Sequence, residues 1–121
     1  MGNSTRVLWA VAIIIVTTGE LLPGGSAPLR WLAATHMNDK TEHFIAYLLL
    51  AMIPVLGFEL GKGILAALSM ILLGVALEFI QRLIPGRSFE LADMLANTLG
   101  VMTGIVLGFA FTKLWRRPVR G

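Results

Sequence analysis

An all-helical bundle of four membrane-crossing segments is the fold this sequence predicts, and three observations predict it. First, 56% of the residues are hydrophobic and only 14% charged, with a mean hydropathy of +0.79; a soluble domain is roughly 45–50% apolar and about 25% charged. Second, the apolar residues fall into four runs, at 7–22, 44–60, 64–84 and 91–114, separated by Pro- and Gly-containing breaks. Third, the basic residues sit between and after those runs. A pI near 10.0 could point to nucleic acid, but charges placed in this way orient membrane helices and do not form a phosphate-binding stripe, so no nucleic-acid partner is expected.

The chain is too short to divide, and residues 1–121 are read as one domain. The first run, 7–22, is short for a hydrocarbon core that needs about 20 residues, and Ser4 to Arg6 with Trp9 supply its interfacial end. No convincing small-residue cleavage site follows, so it is read as a retained helix and not a signal peptide. Residues 23–38 form a loop rich in Pro, Gly, Ser and Thr, with an apolar patch at 29–34 suited to the membrane surface. The second run, 44–60, contains Pro54, a kink signal. Gly61-Lys62-Gly63 then forces the second and third runs to be antiparallel neighbours. Pro85-Gly86 ends the third run, and the fourth ends in Lys113, Trp115, Arg116, Arg117 and Arg120. The absence of cysteine excludes disulfides and thiolate metal sites.

Four spans put both termini on one side. That side, with the Gly61-Lys62-Gly63 connection, carries six Lys and Arg residues (Arg6, Lys62, Lys113, Arg116, Arg117, Arg120), against four on the other (Arg30, Lys40, Arg82, Arg87). The positive-inside rule then makes both termini cytoplasmic in a bacterial inner membrane. Six of the seven acids (Glu20, Asp39, Glu42, Glu78, Glu90, Asp93) gather at the opposite, outer face, leaving only Glu59 behind. At about 1.5 Å per residue, Glu78 lies roughly 10 Å below Pro85, with Asn97 a similar step below Ser88. Asp39, His43 and Tyr47 share one helix face, as do Asp93 with Asn97 and Glu78 with Arg82. Three polar stripes at one level predict an outward-facing polar cavity, because ionisable groups inside a bilayer are costly.

Each of these residues has a plain structural role beside a functional one. Asp39 with Glu42 has capping-box spacing, and Ser88 reads as an N-cap. Glu78 and Arg82 are placed to form an ion pair, His43 to be a hydrogen-bonded core residue, Asp93 and Asn97 to hold helices together, and Arg82 and Arg87 to snorkel. Taken jointly, they point to a site. Helices two and four present their N-termini outward beside Lys40, Arg82 and Arg87, a receptor for a phosphate or carboxylate. His43, Asp39, Glu78 and Asp93 are the candidates for acid–base chemistry, and Lys40, Gln81, Arg82, Arg87, Ser88 and Asn97 for ligand contact. Asp39, His43, Glu78 and Asp93 could instead offer nitrogen and oxygen ligands to a divalent metal, but no compact ligand spacing such as His-Glu-x-x-His is present, so no metal and no cofactor are expected. Gly100, Gly104 and Gly108 form a flat helix face, for packing within the monomer or for a homodimer seam.

With Asp39-Lys40, His43 and Tyr47, then Gly74, Glu78 and Gln81, then Pro85-Gly86-Arg87-Ser88-Phe89 with Asp93, Asn97, Gly100 and Gly104, the chain resembles the VanZ-like family, named for a teicoplanin-resistance membrane protein. The resemblance covers residues 39–108. It implies a small polytopic membrane domain in which Asp39, Lys40, His43, Glu78, Gln81, Arg87, Ser88, Asp93 and Asn97 are site positions. It links the chain to envelope or glycopeptide sensitivity without supplying a reaction. Three functional readings stand at this stage: binding of an anionic envelope ligand such as a lipid or lipid-linked phosphate; an intramembrane hydrolase or transferase on such a substrate; and a non-catalytic assembly module.

Overall fold

The computed structural model describes residues 3–23, 25–34, 38–87 and 89–115. Its element order is α1 (Asn3–Leu21), α2 (Ala27–Ala34), α3 (Asp39–Gly57), α4 (Leu60–Gln81) and α5 (Leu91–Trp115), with no strand among the described residues. Four of these helices are long and apolar enough to cross a membrane. Each expected span is therefore present. α1 and α3 begin four and five residues earlier than the hydropathy does, because polar first turns are still helical. α3 ends at Gly57, three residues short of 60, and α4 begins at Leu60, so Gly61-Lys62-Gly63 lies in the first turn of α4 and the expected connection falls instead at Phe58-Glu59; α4 ends at Gln81, three residues short of 84. The apolar patch at 29–34 lies in the short helix α2. The arginines beyond Trp115 and Ser88 lie outside the described residues.

α3 is the hub, packing on α1, α4 and α5, while α1 rests on α3 and α4. Its fully buried face carries Tyr47, Leu50, Ala51 and Val55, which meet Ala67 and Met70 of α4 and Val101 of α5. Around that core Leu65, Leu72, Leu95, Leu99 and Val106 are exposed. On a soluble protein such apolar surface would be an aggregation hazard; against lipid it faces its proper solvent.

The α3–α5 seam explains the glycine stripe. A Cβ at Gly100 would lie 2.3 Å from the Phe44 carbonyl oxygen, one at Gly104 2.3 Å from that of Leu48, and one at Gly108 2.8 Å from Val55 Cγ1. Only a hydrogen fits where backbone meets backbone. The homodimer seam expected through Gly100, Gly104 and Gly108 is thus occupied within the chain, by α3.

Pro54 lies inside α3 and has no N–H, so the Leu50 carbonyl four residues back loses its helical donor. Trp9 of α1 supplies one: its indole Nε1 donates to Leu50 O at 2.8 Å. In lipid an orphaned carbonyl has no water to turn to, and this bond stitches α1 to the hub. Nearby, α1 and α3 close at Gly57, where a Cβ would meet Thr5 Cγ2 at 2.2 Å, and α4 closes on α3 at Gly63, 2.4 Å from Pro54 O.

Candidate functional site

At the other end of the bundle α1 and α4 finish and α3 and α5 start, and polar side chains replace glycine. Asn38, not Asp39, caps α3, its side chain accepting from Lys40 N at 2.7 Å. The capping box expected from Asp39 and Glu42 is therefore displaced by one residue. Asp39 becomes the first helical residue, with its carboxylate free to turn inward. The chain leaving α4 folds back at Pro85-Gly86: Arg87 N donates to Ile84 O at 3.1 Å and Gly86 has φ 76°. Proline then glycine with positive φ at the two central positions is a type II turn. It swings Arg87 over the bundle end, where its guanidinium donates to the Glu20 carbonyl at 2.9 Å. Gln81 Nε2 donates to the same carbonyl at 2.6 Å. Two side chains from beyond α1 thereby satisfy a carbonyl in its last turn.

Asp39, His43, Gln81, Gly86, Arg87, Glu90 and Asp93 line a cavity of about 200 Å3 here. The ordering of its groups is specific. His43 Nδ1 lies 2.9 Å from Asn97 Oδ1; with that oxygen as acceptor, Nδ1 carries a proton, and in the neutral imidazole Nε2 then presents a lone pair. Facing Nε2 are Asp93 Oδ2 at 3.7 Å and Asp39 Oδ1 at 3.9 Å. The second oxygens of both acids turn to Lys40 Nζ, Asp93 Oδ1 at 2.8 Å and Asp39 Oδ2 at 3.4 Å, and Glu90 pairs with the same amine. Glu78 is fully buried beneath, its Oε2 accepting from Glu90 N at 2.7 Å at the start of α5. A layer deeper lie Tyr47 and Asn97, the latter against Gly74, where no Cβ could sit comfortably.

The predicted residues thus assemble from α3, α4, α5 and the turn: His43, Asp39, Glu78, Asp93, Lys40, Gln81, Arg87 and Asn97 are brought together. Arg82 is not. It is exposed, its guanidinium 5.8 Å from the Phe89 ring centroid, and among the described residues it forms no ion pair with Glu78 or any other acid. Ser88 lies outside the described residues. Two further groups belong to the cluster. Glu90 pairs with Lys40. Glu20 is buried, its carboxyl group partnered by Tyr47 Oη. As the lone acid within the first apolar run, Glu20 carried a signal that counting acids by face could not convert into a contact.

The electrostatics differ from the predicted anion receptor. Lys40 is held by three carboxylates, Arg82 points elsewhere, and at both N-termini a backbone N–H already donates to a side chain of this protein, Lys40 N to Asn38 and Glu90 N to Glu78. Three acids line the cavity (Asp39, Glu90, Asp93) against one permanent cation, Arg87, with Lys40 bound to those same three acids. Acid, not base, is in excess.

A family model described as VanZ/LLP1 matches residues 7–112, taking in α1 and α2 as well as residues 39–108. An uncharacterised protein of Schizosaccharomyces pombe is 31% identical over 88 residues, covering 69% of this chain and 54% of the relative. The chain therefore spans about half the length of that curated relative. No solved structure matches the chain. The chain belongs to the VanZ/LLP1 family, as a multi-pass membrane protein.

Proposed function

We propose that this VanZ/LLP1 member binds the headgroup of an anionic lipid or lipid-linked phosphate in the polar cavity, and through it influences envelope or glycopeptide sensitivity. One observation carries the reading: Arg87 lines the cavity and, among the described residues, makes a single hydrogen bond, leaving its other N–H groups for a ligand. A guanidinium offers phosphate a planar, bidentate contact. Size agrees. At about 200 Å3 the cavity is smaller than the roughly 300–1,000 Å3 of sites for drug-sized ligands, which suits a phosphate-sized headgroup whose apolar tail stays against the lipid-facing helices. The acid excess means that a phosphate enters with a compensating cation and not alone.

Native mass spectrometry of the detergent-purified protein beside Arg87→Ala tests it. Co-purification of a phosphate-bearing lipid that disappears in Arg87→Ala is the expected result. Retention of the same lipid by the variant removes the reading.

A second reading has its own support in the His43–Asn97 contact. An imidazole with Nδ1 held and Nε2 turned into a cavity is arranged as a general base, for a hydrolase or transferase acting on the same lipid class. Turnover of such a lipid that vanishes in His43→Gln would establish it. The orientation proposed with both readings, termini in the cytoplasm and cavity outside, rests on the Lys and Arg distribution. Because the chain has no cysteine, single cysteines at Arg30 and Lys62 and a membrane-impermeant maleimide test it directly: labelling from outside at Arg30→Cys alone is expected.

A further inference from the structure

We propose that Asp39, His43 and Asp93 form a divalent-cation site on the cavity wall. The three offer one nitrogen and two carboxylate oxygens whose ligand atoms all lie within 4.8 Å of one another. Their arrangement is more than acids crowding together. His43 is 8% exposed and lines the cavity, and among the described residues its Nε2 makes no hydrogen bond, since 3.7 and 3.9 Å to the carboxylates are beyond that reach. Among the described residues, the ring nitrogen between these two carboxylates has no hydrogen-bond partner, and in the neutral imidazole it aims a lone pair there.

The surrounding contacts are those a metal ligand needs. A ligating histidine donates its other N–H to a fixed acceptor, which sets the tautomer and aims the lone pair; Asn97 Oδ1 stands 2.9 Å from Nδ1 in that role. Each carboxylate is also divided. One oxygen of Asp93 and one of Asp39 go to Lys40, while the other of each faces Nε2. Lys40 therefore restrains both acids without using the oxygens the cation would take. Metal–ligand bonds of about 2.0–2.2 Å set tetrahedral ligand atoms roughly 3.3–3.6 Å apart, so the two nitrogen-to-oxygen separations, 3.7 and 3.9 Å, need only a few tenths of an ångström of closure, and the two carboxylate oxygens lie within 4.8 Å of each other before any ion draws them in. An N/O set with two carboxylates suits Mn2+ or Zn2+ over soft metals. Asp39, with a side chain 61% exposed, gives the ion a path from water.

Such an ion also resolves the acid excess. Two carboxylates balance its charge, and its open positions face the space that Arg87 borders, where a phosphate oxygen would complete the coordination. The site rests on the ligand geometry alone; only this last role depends on the headgroup reading.

The test is a Mn2+ titration of the purified full chain in detergent, followed by electron paramagnetic resonance, with Zn2+ as competitor. About one Mn2+ per chain is expected, displaced by Zn2+, with nitrogen modulation from the imidazole. His43→Gln should abolish the nitrogen signal, and Asp39→Asn should weaken binding about tenfold or more. Asp39→Asn alters an exposed side chain, so it reports even if His43→Gln fails to fold; Arg82→Ala should bind as wild type. Absence of bound Mn2+ and Zn2+ at millimolar concentration overturns the proposal, as does binding without nitrogen modulation that Asp39→Asn leaves unchanged. Lipid that co-purifies after chelation and with Asp39→Asn would refute the bridging role while sparing the headgroup reading. Metal bound normally by a chain whose lipid ignores Arg87→Ala would do the reverse.

Discussion

The two ends of this bundle are built on opposite principles. Where α3 finishes, helices meet at glycines: Gly57 against the Thr5 side chain, Gly63 against the Pro54 carbonyl and Gly108 against the Val55 side chain, with Trp9 supplying the hydrogen bond that Pro54 denies Leu50. Where α3 begins, glycine gives way to Asp39, Lys40, His43, Gln81, Arg87 and Asp93, and polar atoms border an open cavity. One end holds the helices at fixed distance by having no side chains to spare. The other carries polar groups that lack partners: among the described residues Glu78 Oε1 and Asn97 Nδ2 are buried with no hydrogen bond, and the buried Glu20 Oε1 and Tyr47 Oη have only each other. Buried polar groups left so are costly in lipid, and the close-packed end lets the fold carry them.

The sharpest way to break this contrast is at the glycine seam. Gly104→Leu forces a side chain into the Leu48 carbonyl, which is backbone and cannot yield. A loss of about 3 kcal/mol or more is expected, seen as a lowered melting temperature in detergent; an unchanged melt would mean that the seam is not close-packed. Next comes the proline stitch. Trp9→Phe should cost about 1–2 kcal/mol by orphaning Leu50 O. Adding Pro54→Ala restores a helical N–H to that carbonyl and should recover much of the loss, so a double-mutant cycle should give clear coupling. Additive effects would separate Trp9 from Pro54.

At the polar end the expected stability effects are smaller and the functional ones larger. Asn38→Ala should cost about 1 kcal/mol as the cap of α3, whereas Asp39→Ala should stay within about 0.5 kcal/mol yet impair ligand or metal binding. Chemical denaturation of the two variants side by side decides between them, and the reverse ranking would return the cap to Asp39. Arg82→Ala should be the mildest, within about 0.5 kcal/mol and with the co-purifying species unchanged in mass spectra, because its guanidinium rests on Phe89 outside the cavity.

These two ends were not equally legible in the sequence. The glycine stripe at 100, 104 and 108 announces a close helix contact, but a stripe names no partner, and the choice of α3 over a second copy belongs to packing. The polar end was legible as a level: spans of known direction bring Asp39, Glu78, Asp93 and Asn97 to one depth. Direction within that level was not. Arg82, the C-cap residue one turn after Glu78, is exposed with its guanidinium beside Phe89 and not beside Glu78. Glu20 enters through its main-chain carbonyl, a group no residue pattern advertises.

By itself, then, the sequence determined the solvent, the number of spans and the family, because hydropathy is a local property of a chain in lipid. Tertiary structure decided which atoms meet. A cluster made of Asp39 and His43 from one helix and Asp93 from another has no compact spacing to find, and the absence of such spacing could not argue against a metal. Lys40 meeting three acids, and Trp9 meeting the carbonyl that Pro54 leaves bare, likewise depend on how helices rotate about their axes. Glycine contacts along the bundle, from Gly100 on Phe44 to Gly108 on Val55, hold those helices close through packing that no single segment contains.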